Sequence, residues 1–119
     1  MDKELPLGEK QRLFTRLIGK LIEYAYAAGY ELTFGDAYRD PRLANLNAQQ
    51  GIGVKNSLHS QRLAVDFNLF KDGTYLPKTD DYRILGEYWE SLDPSCCWGG
   101  RFKPLSDGNH FSITYGGIK

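Results

Sequence analysis

Apolar residues recur at the spacing of one helical face between residues 13 and 28, and charged residues occupy many of the positions between them. A stripe of this period is typical of an amphipathic helix that packs on a core. Gly29 follows the stripe and predicts the C-terminal end of the helix. Large residues then alternate along YELTFGDAY, residues 30–38, which predicts a strand. A helix that leads into a strand therefore opens the predicted fold.

The rest of the chain reads as short segments separated by turns. Residues 39–57 are rich in Asn, Gly and Gln and show no sustained period, so we expect a long loop with room for one short helix at its front. The pattern predicts strands over residues 63–70 and 111–115, a hairpin turn at Asp72 and Gly73, and a second helix over residues 80–92. Because these elements do not alternate as βαβ units, they predict an α+β fold: a small antiparallel sheet packed with two or three helices.

Length and charge limit the classes of function. A chain of 119 residues with 41% apolar content predicts one domain over residues 1–119. Fifteen Lys plus Arg balance fifteen Asp plus Glu, so the field that draws proteins to nucleic acid is missing and no nucleic-acid partner is expected. The sequence lacks a run of about 20 apolar residues and the basic, then apolar, start of a secretory signal. We expect a monomer that is made in the cytosol and does not insert into membranes.

Cysteine and histidine are both scarce, and this scarcity directs the search for a site. The two cysteines, Cys96 and Cys97, are adjacent, and neighbours cannot normally reach the geometry of an unstrained disulfide, so free thiols are predicted. The two histidines are His59 and His110. Any site that uses imidazole must therefore use one or both of them.

One carboxylate and both histidines fall at the predicted strands. Asp66 lies within an apolar strand, His59 just precedes that strand, and His110 opens the last one. Alone, each would usually be structural, but two imidazoles and one carboxylate are the protein ligands of a catalytic zinc site. An iron facial triad has the same ligands and stays open. Asp107, in the turn-forming segment SDGNH, could accept a proton from a metal-bound water or could merely form the turn.

Three motifs in these segments resemble those of the M15 peptidases, a family of D,D-carboxypeptidases, D,D-dipeptidases and L-alanyl-D-glutamate endopeptidases. SLHSQRLAVD, residues 57–66, resembles the signature S-x-H-x-x-G-x-A-x-D. WGGRF at 98–102 and DGNHF at 107–111 resemble the W-G-G-x-[WF] and D-x-x-H-F elements of the endopeptidase branch, which includes many bacteriophage endolysins. The pair YR at 38–39 is similar to the Y-R element of the family.

The resemblance implies a Hedgehog/DD-peptidase-like fold and a catalytic Zn²⁺. It implies metal ligands at His59, Asp66 and His110 and a general base at Asp107. It also implies that Arg39 contacts substrate and stabilises the oxyanion, a role that guanidinium donors suit.

The implied substrate is a peptidoglycan stem peptide. The favoured bond is L-Ala to D-Glu, with D-Ala to D-Ala cleavage as the alternative within the class. Ser57 would orient the ligand loop or contact substrate. The endolysin branch further implies a single-domain phage lysin that reaches the wall after another protein opens the host membrane.

One residue departs from the signature. Arg62 stands where the family has glycine. Either the turn avoids a conformation that only glycine tolerates, or Arg62 has a purpose of its own, such as binding a substrate carboxylate.

A non-catalytic zinc-binding module is the alternative from another class. A structural zinc site tends to close its fourth coordination position with a protein ligand. Cys96 or Cys97 could supply that ligand.

Overall fold

The computed structural model describes residues 4–38 and 58–119, and the structural statements below concern those residues. Helix α1 (Leu7–Ala27) leads into strand β1 (Glu31–Phe34). The later elements, in chain order, are a 3₁₀ turn (Leu58–Gln61), strands β2 (Ala64–Lys71) and β3 (Thr74–Leu76), a 3₁₀ turn (Thr79–Tyr82), helix α2 (Arg83–Leu92), strand β4 (Cys96–Trp98), a 3₁₀ turn (Gly99–Arg101) and strand β5 (His110–Ile113). The α+β prediction is confirmed.

Helix α1 begins at Leu7, well before the predicted start at residue 13. The apolar stripe is interrupted in its first turn by Lys10, which is 6% exposed. Its ammonium group donates to the carbonyl oxygen of Thr114 and lies 3.3 Å from a carboxylate oxygen of Glu4. The buried charge is therefore paired, and the helix can extend over a position that the pattern marks as polar.

Strand β2 is the centre of an antiparallel sheet with the order β1-β2-β5-β4, in which β3 also pairs with β2. The hairpin turn between β2 and β3 is confirmed, because Asp72 and Gly73 both have positive φ, 52° and 77°. Such left-handed pairs match the twist of a two-residue hairpin. In the register of β2 and β5, Asp66 lies opposite His110.

Three predicted elements differ in extent from those observed. The strand predicted over residues 30–38 is regular only at Glu31–Phe34, although Gly35 and Asp36 still exchange backbone hydrogen bonds with Asp66. The helix predicted from residue 80 starts with a 3₁₀ turn and becomes α-helical at Arg83. The strand predicted over 111–115 is observed at His110–Ile113.

Strand β4 was not predicted, because three residues are too few to show an alternating pattern. The loop expected over residues 39–57 lies outside the described residues.

The two helices cover one face of the sheet. Trp89 of α2 is fully buried, and its ring makes edge contacts with Phe14 of α1 and Phe111 of β5, at centroid distances of 5.8 and 6.2 Å. Phe67 of β2 joins the same cluster through Phe111. Since side chains alternate along a strand, Asp66 and His110 project from the opposite face. The core thus fixes the sheet and leaves its other face for polar chemistry.

Two further expectations can be compared with the described residues. Cys96 and Cys97 are free thiols, as predicted. No helix in the described ranges is long and apolar enough to cross a membrane.

Candidate metal centre

The polar face of the sheet brings together the three residues proposed as metal ligands. Asp66 and His110 are cross-strand partners on β2 and β5, and His59 reaches them from the 3₁₀ turn before β2. Asp66 Oδ1 lies 3.5 Å from His59 Nε2 and 3.4 Å from His110 Nδ1. Both imidazoles are buried, at 5% and 7% exposure. The three donor atoms converge on one point beside the sheet.

The spacing of these donors fits a tetrahedral zinc ion. Nitrogen and oxygen ligands at about 2.0–2.1 Å from zinc are separated from each other by about 3.3–3.4 Å in a tetrahedron. The two distances from Asp66 agree with that separation, and one donor atom of each residue lies within 4.8 Å of the others. Asp66 Oδ1 is buried and accepts no hydrogen bond from the described residues. A cation at this point would satisfy it, so the three residues fit the metal.

Charge in the cluster is arranged to keep the carboxylate ionised. Burial alone would raise the pKa of Asp66, but the imidazoles of His110 and His59 outweigh it and hold that pKa at about 2. An ionised carboxylate is the form that binds a metal. The site therefore presents Asp66 as a ligand at any neutral pH.

Backbone hydrogen bonds on both edges of β2 hold Asp66 in place. Its N–H donates to the carbonyl oxygen of Asp36 at 2.8 Å, and its carbonyl oxygen accepts from Gly35 N–H at 2.7 Å. On the other edge, Phe67 N–H donates to the carbonyl oxygen of Asn109 at 2.9 Å, next to His110. The carboxylate is thus anchored to rigid strands on each side, as a preorganised site requires.

The turn that carries His59 is closed onto β2. Leu58 and Leu63 are fully or almost fully buried, and Leu63 N–H donates to the carbonyl oxygen of Leu58 at 2.9 Å. Arg62 N–H donates to the carbonyl oxygen of His59 at 3.2 Å. These contacts hold the turn, and with it the His59 side chain, in place beside the sheet.

Asp107 lies at the border of this cluster and does not belong to its donor set. Partial burial and then the charge of Asp66 raise the pKa of Asp107, while His110 and His59 act in the opposite direction. The side chain is nevertheless exposed. Asp107 is therefore a solvent-exposed carboxylate that interacts electrostatically with the candidate centre. These are the properties of a proton acceptor rather than of a fourth ligand.

Glycine at position 99 sets the position of Asp107. Asp107 N–H donates to the carbonyl oxygen of Gly99 at 2.8 Å, and the carbonyl oxygen of Asp107 accepts from His110 N–H at 3.0 Å. The indole Nε1 of Trp98, which is 1% exposed, donates to the carbonyl oxygen of Gly108 at 2.7 Å. Trp98 and Gly99 of the motif WGGRF thus support the loop that precedes His110 by hydrogen bonds with Gly108 and Asp107.

Sequence reasoning missed two residues of this support. Gly99 was quoted only as part of a motif, and a Cβ there would lie 2.0 Å from the carbonyl oxygen of Asp107. Phe102 packs its ring 5.2 Å from the His110 ring. No periodic signal marks either residue, because both act through contacts between segments.

A surface cavity of about 770 Å³ lies along β4 and the loop after it. Its lining includes Phe102, Lys103 and Leu105, and also Cys96 and Cys97, but not His59, Asp66, His110 or Asp107. Phe102 is its link to the centre, since the same ring contacts His110.

Arg62, which stands where the family has glycine, adopts a backbone conformation that favours glycine. Its φ is 58°, in the left-handed region where glycine is favoured. Of the two alternatives that the sequence left open, the one in which the turn avoids this conformation is therefore not observed.

The remaining predicted residues fall outside the cluster or outside the described ranges. Arg39 and Ser57 belong to residues 39–57, which are not described. Cys96 and Cys97 are not members of the donor set. Burial raises the pKa of Cys96 to about 12, so its thiol stays protonated.

Comparisons with known proteins show which family and which fold this chain is similar to. A peptidase M15 family model described as D-alanyl-D-alanine carboxypeptidase matches residues 51–113. Among solved structures, the L-Ala D-Glu endopeptidase ChiX of Serratia marcescens is similar, with a TM-score of 0.67 and 22% identity over 90% of this chain and 85% of that one. A search of curated proteins finds no match. The structural likeness shows a shared fold.

Proposed function

The chain belongs to the M15 peptidase family, and from this premise we propose that it is a zinc-dependent hydrolase of peptidoglycan stem peptides. The observation that carries the proposal is the convergence of His59, Asp66 and His110, in which both distances from Asp66 Oδ1 have the spacing of ligands around a tetrahedral ion. Zinc tolerates this mixture of imidazole and carboxylate donors, and three protein ligands leave one position for water. Residues 1–119 would then act as a single catalytic domain.

A Zn²⁺ ion held by these three residues would lower the pKa of a bound water to about 7 and would polarise the scissile carbonyl. The chain's own contribution begins with Asp107. Its carboxylate takes the proton of the attacking water and later gives it to the departing amine nitrogen. The raised pKa of Asp107 favours the first transfer, because the proton affinity of a carboxylate rises with its pKa.

Arg39 and Ser57 complete the proposal. Arg39 follows Tyr38 directly, and β1 leads to this point from its pairing beside Asp66. A guanidinium group there would donate to the carbonyl oxygen as it becomes an oxyanion. Ser57 stands two positions before His59, close enough in sequence to orient the ligand turn or to contact substrate.

For the bond, we propose L-alanyl-D-glutamate cleavage. The motifs WGGRF and DGNHF support it, and the similar Serratia protein is described as an L-Ala D-Glu endopeptidase. D-alanyl-D-alanine carboxypeptidase activity is the second candidate, favoured by the description of the matching family model.

A non-catalytic zinc module is less well supported. It would close its fourth position, yet neither cysteine joins the donor set of the described residues. It would also have no use for a carboxylate at the border of the centre, where Asp107 lies.

The proposed role is that of a phage endolysin made in host cytoplasm. The enzyme would reach the wall only after a separate protein has opened the membrane. Expression in a Gram-negative host should leave cells intact, and permeabilisation of the inner membrane should then cause lysis. Lysis without permeabilisation, or strong saturable binding to intact Gram-positive walls, would contradict this role.

Digestion of purified peptidoglycan, with mass spectrometry of the new termini, tests the activity. A new N-terminal D-Glu supports the endopeptidase, released D-Ala supports the carboxypeptidase, and zinc binding without cleavage supports the module. A chelator should abolish cleavage, and added zinc should restore it.

The role of Asp107 has its own variant. Asp107→Asn should retain zinc and lose turnover by about 100-fold or more. Asp72→Asn is the matched control, because it makes the same chemical change in the hairpin turn at the far end of β2. Retained turnover in Asp107→Asn would exclude Asp107 as the base.

A further inference from the structure

Arg62 is held in a backbone conformation that its side chain does not favour. Among the described non-glycine residues only Asp72 shares a positive φ, and it does so within a hairpin turn that demands one. Asp is one of the residue types that visit this region readily, whereas arginine is not. Glycine would build the same turn without steric cost. An unfavourable backbone conformation next to a functional site points to a use for the side chain.

The guanidinium group of Arg62 is stacked and open at its edge. Its central carbon lies 4.2 Å from the centroid of the Tyr38 ring. No carboxylate of the described residues pairs with it, whereas Arg83 and Arg101 each have such a partner, Asp80 and Glu90. Stacking occupies the face of the guanidinium and leaves its N–H donors free at the edge. That edge is suited to a carboxylate held by two parallel hydrogen bonds.

Arg62 and Tyr38 border the candidate metal centre from two segments. Arg62 N–H donates to the carbonyl oxygen of His59, a proposed ligand. Tyr38 follows closely on Asp36, whose carbonyl oxygen accepts from the N–H of Asp66. Both side chains are exposed, so a ligand can reach them. The stacked pair is therefore attached to the two segments that flank His59 and Asp66.

We propose that the Tyr38–Arg62 pair binds the free α-carboxylate of the D-glutamate on the C-terminal side of the scissile bond. This inference rests on the proposed endopeptidase function. A D-glutamate linked through its γ-carboxyl keeps its α-carboxylate beside the scissile nitrogen, one residue from the reacting carbonyl. The pair thereby selects stem peptides that carry D-glutamate over those that carry D-isoglutamine, in which the same carboxyl is an uncharged amide.

The test compares two tripeptides, L-Ala-γ-D-Glu-L-Lys and the same peptide with D-isoglutamine. The wild type should cleave the first with a kcat/KM about tenfold to a hundredfold higher, the range expected for a hydrogen bond to a charged group. Arg62→Gly should bring the ratio close to one without lowering Tm, since glycine adopts this φ freely. Arg62→Lys should retain only part of the preference, because lysine cannot donate as a planar fork.

Two further variants distinguish the contribution of the Arg62 guanidinium from those of the Tyr38 ring and of the net charge of the protein. Tyr38→Leu removes the stacking surface and should reduce the preference. Arg16→Gln removes a positive charge from the exposed side of helix α1 and should leave the preference unchanged. An equal loss of preference in Arg16→Gln would attribute the effect to net charge and would overturn the proposal.

A binding experiment keeps this inference distinct from the proposed activity. The Arg62 side-chain Nε–H signal is followed by NMR while γ-D-Glu-L-Lys or its α-amide is added. Selective binding of the acid, lost in Arg62→Gly, supports the pair even if no peptide is cleaved. Equal binding of both dipeptides, an unchanged cleavage ratio in Arg62→Gly, or Arg62 dependence only on peptides ending in D-Ala-D-Ala would each refute the assignment to D-glutamate.

Discussion

Replacing Gly99 by alanine should disable the candidate centre without changing any group that takes part in the chemistry. A Cβ at this position would lie 2.0 Å from the carbonyl oxygen of Asp107 and 2.7 Å from the Cβ of His110. The same carbonyl oxygen accepts a hydrogen bond from His110 N–H, and Gly99 itself accepts one from Asp107 N–H. One added methyl group therefore pushes on the proposed base and on a proposed metal ligand at once.

The size of the effect follows from the geometry. A contact between a carbon atom and a carbonyl oxygen normally needs about 3.3 Å. The added Cβ would lie 2.0 Å from the carbonyl oxygen of Asp107, so that oxygen must move away by about 1.3 Å. Overpacking of this kind costs about 1–3 kcal/mol of unfolding free energy. A displacement of about 1 Å of a positioned group costs about 100-fold in rate. We expect Gly99→Ala to fold with reduced stability and to lose at least that factor in kcat/KM.

Three measurements on one preparation check this. Thermal unfolding reports the loss of stability, zinc titration reports the ligand set, and hydrolysis of a stem peptide reports kcat/KM. Gly19→Ala is the matched control, because it makes the same change at an exposed position of helix α1 where nothing lies within 4 Å. That control should be about 0.5–1 kcal/mol more stable than the wild type and equally active.

Wild-type kcat/KM together with wild-type Tm in Gly99→Ala would refute the reasoning. It would mean that the segment after Trp98 can move away from Asp107 at no cost. A loss of stability with unchanged kcat/KM would instead limit Gly99 to a structural role.

Other consequences can be tested on the same protein. His59→Ala removes one of three proposed ligands and should abolish both stoichiometric zinc binding and hydrolysis. Metal analysis after dialysis measures the zinc content, and full zinc retention would contradict the assignment of His59. In the metal-free protein, the pKa of Asp66 is lowered from 3.8 to about 2. This shift contributes about 2 kcal/mol to the unfolding free energy above pH 4, and the contribution is lost as the pH falls through 2. The unfolding free energy lost between pH 6 and pH 2, measured by chemical unfolding, should be larger in the wild type than in Asp66→Asn, and an equal loss in both would contradict this contribution. Trp98→Phe leaves the carbonyl oxygen of Gly108 without its indole donor and should lower the unfolding free energy by about 1–3 kcal/mol. An unchanged Tm would contradict this expectation.

The sequence pattern located the elements that carry the site. Strand β2 was predicted to within one residue at each end, because residues 63–70 have the composition of a strand. The hairpin turn was predicted because Asp-Gly favours left-handed backbone at both positions. Helix α1 was predicted too short, since the buried Lys10 interrupts the apolar stripe and is paired with Glu4 and with the carbonyl oxygen of Thr114, which is remote in the chain.

The proposed ligand set could likewise be named before the structure was known. With two histidines in the chain and one carboxylate inside an apolar strand, few sets of three ligands were available. The motif over residues 57–66 reduced the choice further, because its histidine and aspartate keep a fixed separation in sequence.

The sequence alone determined the fold class, strand β2 with its hairpin turn, and the residue types that could meet, because these depend on the local period and composition. Only the tertiary structure decided the register that sets Asp66 opposite His110, the convergence of three donor atoms within a few ångströms, and the close approach of Gly99 to Asp107. It also decided that Arg62 keeps a left-handed backbone and stacks on Tyr38. Those features arise between segments far apart in the chain, where packing rather than local preference sets the distances.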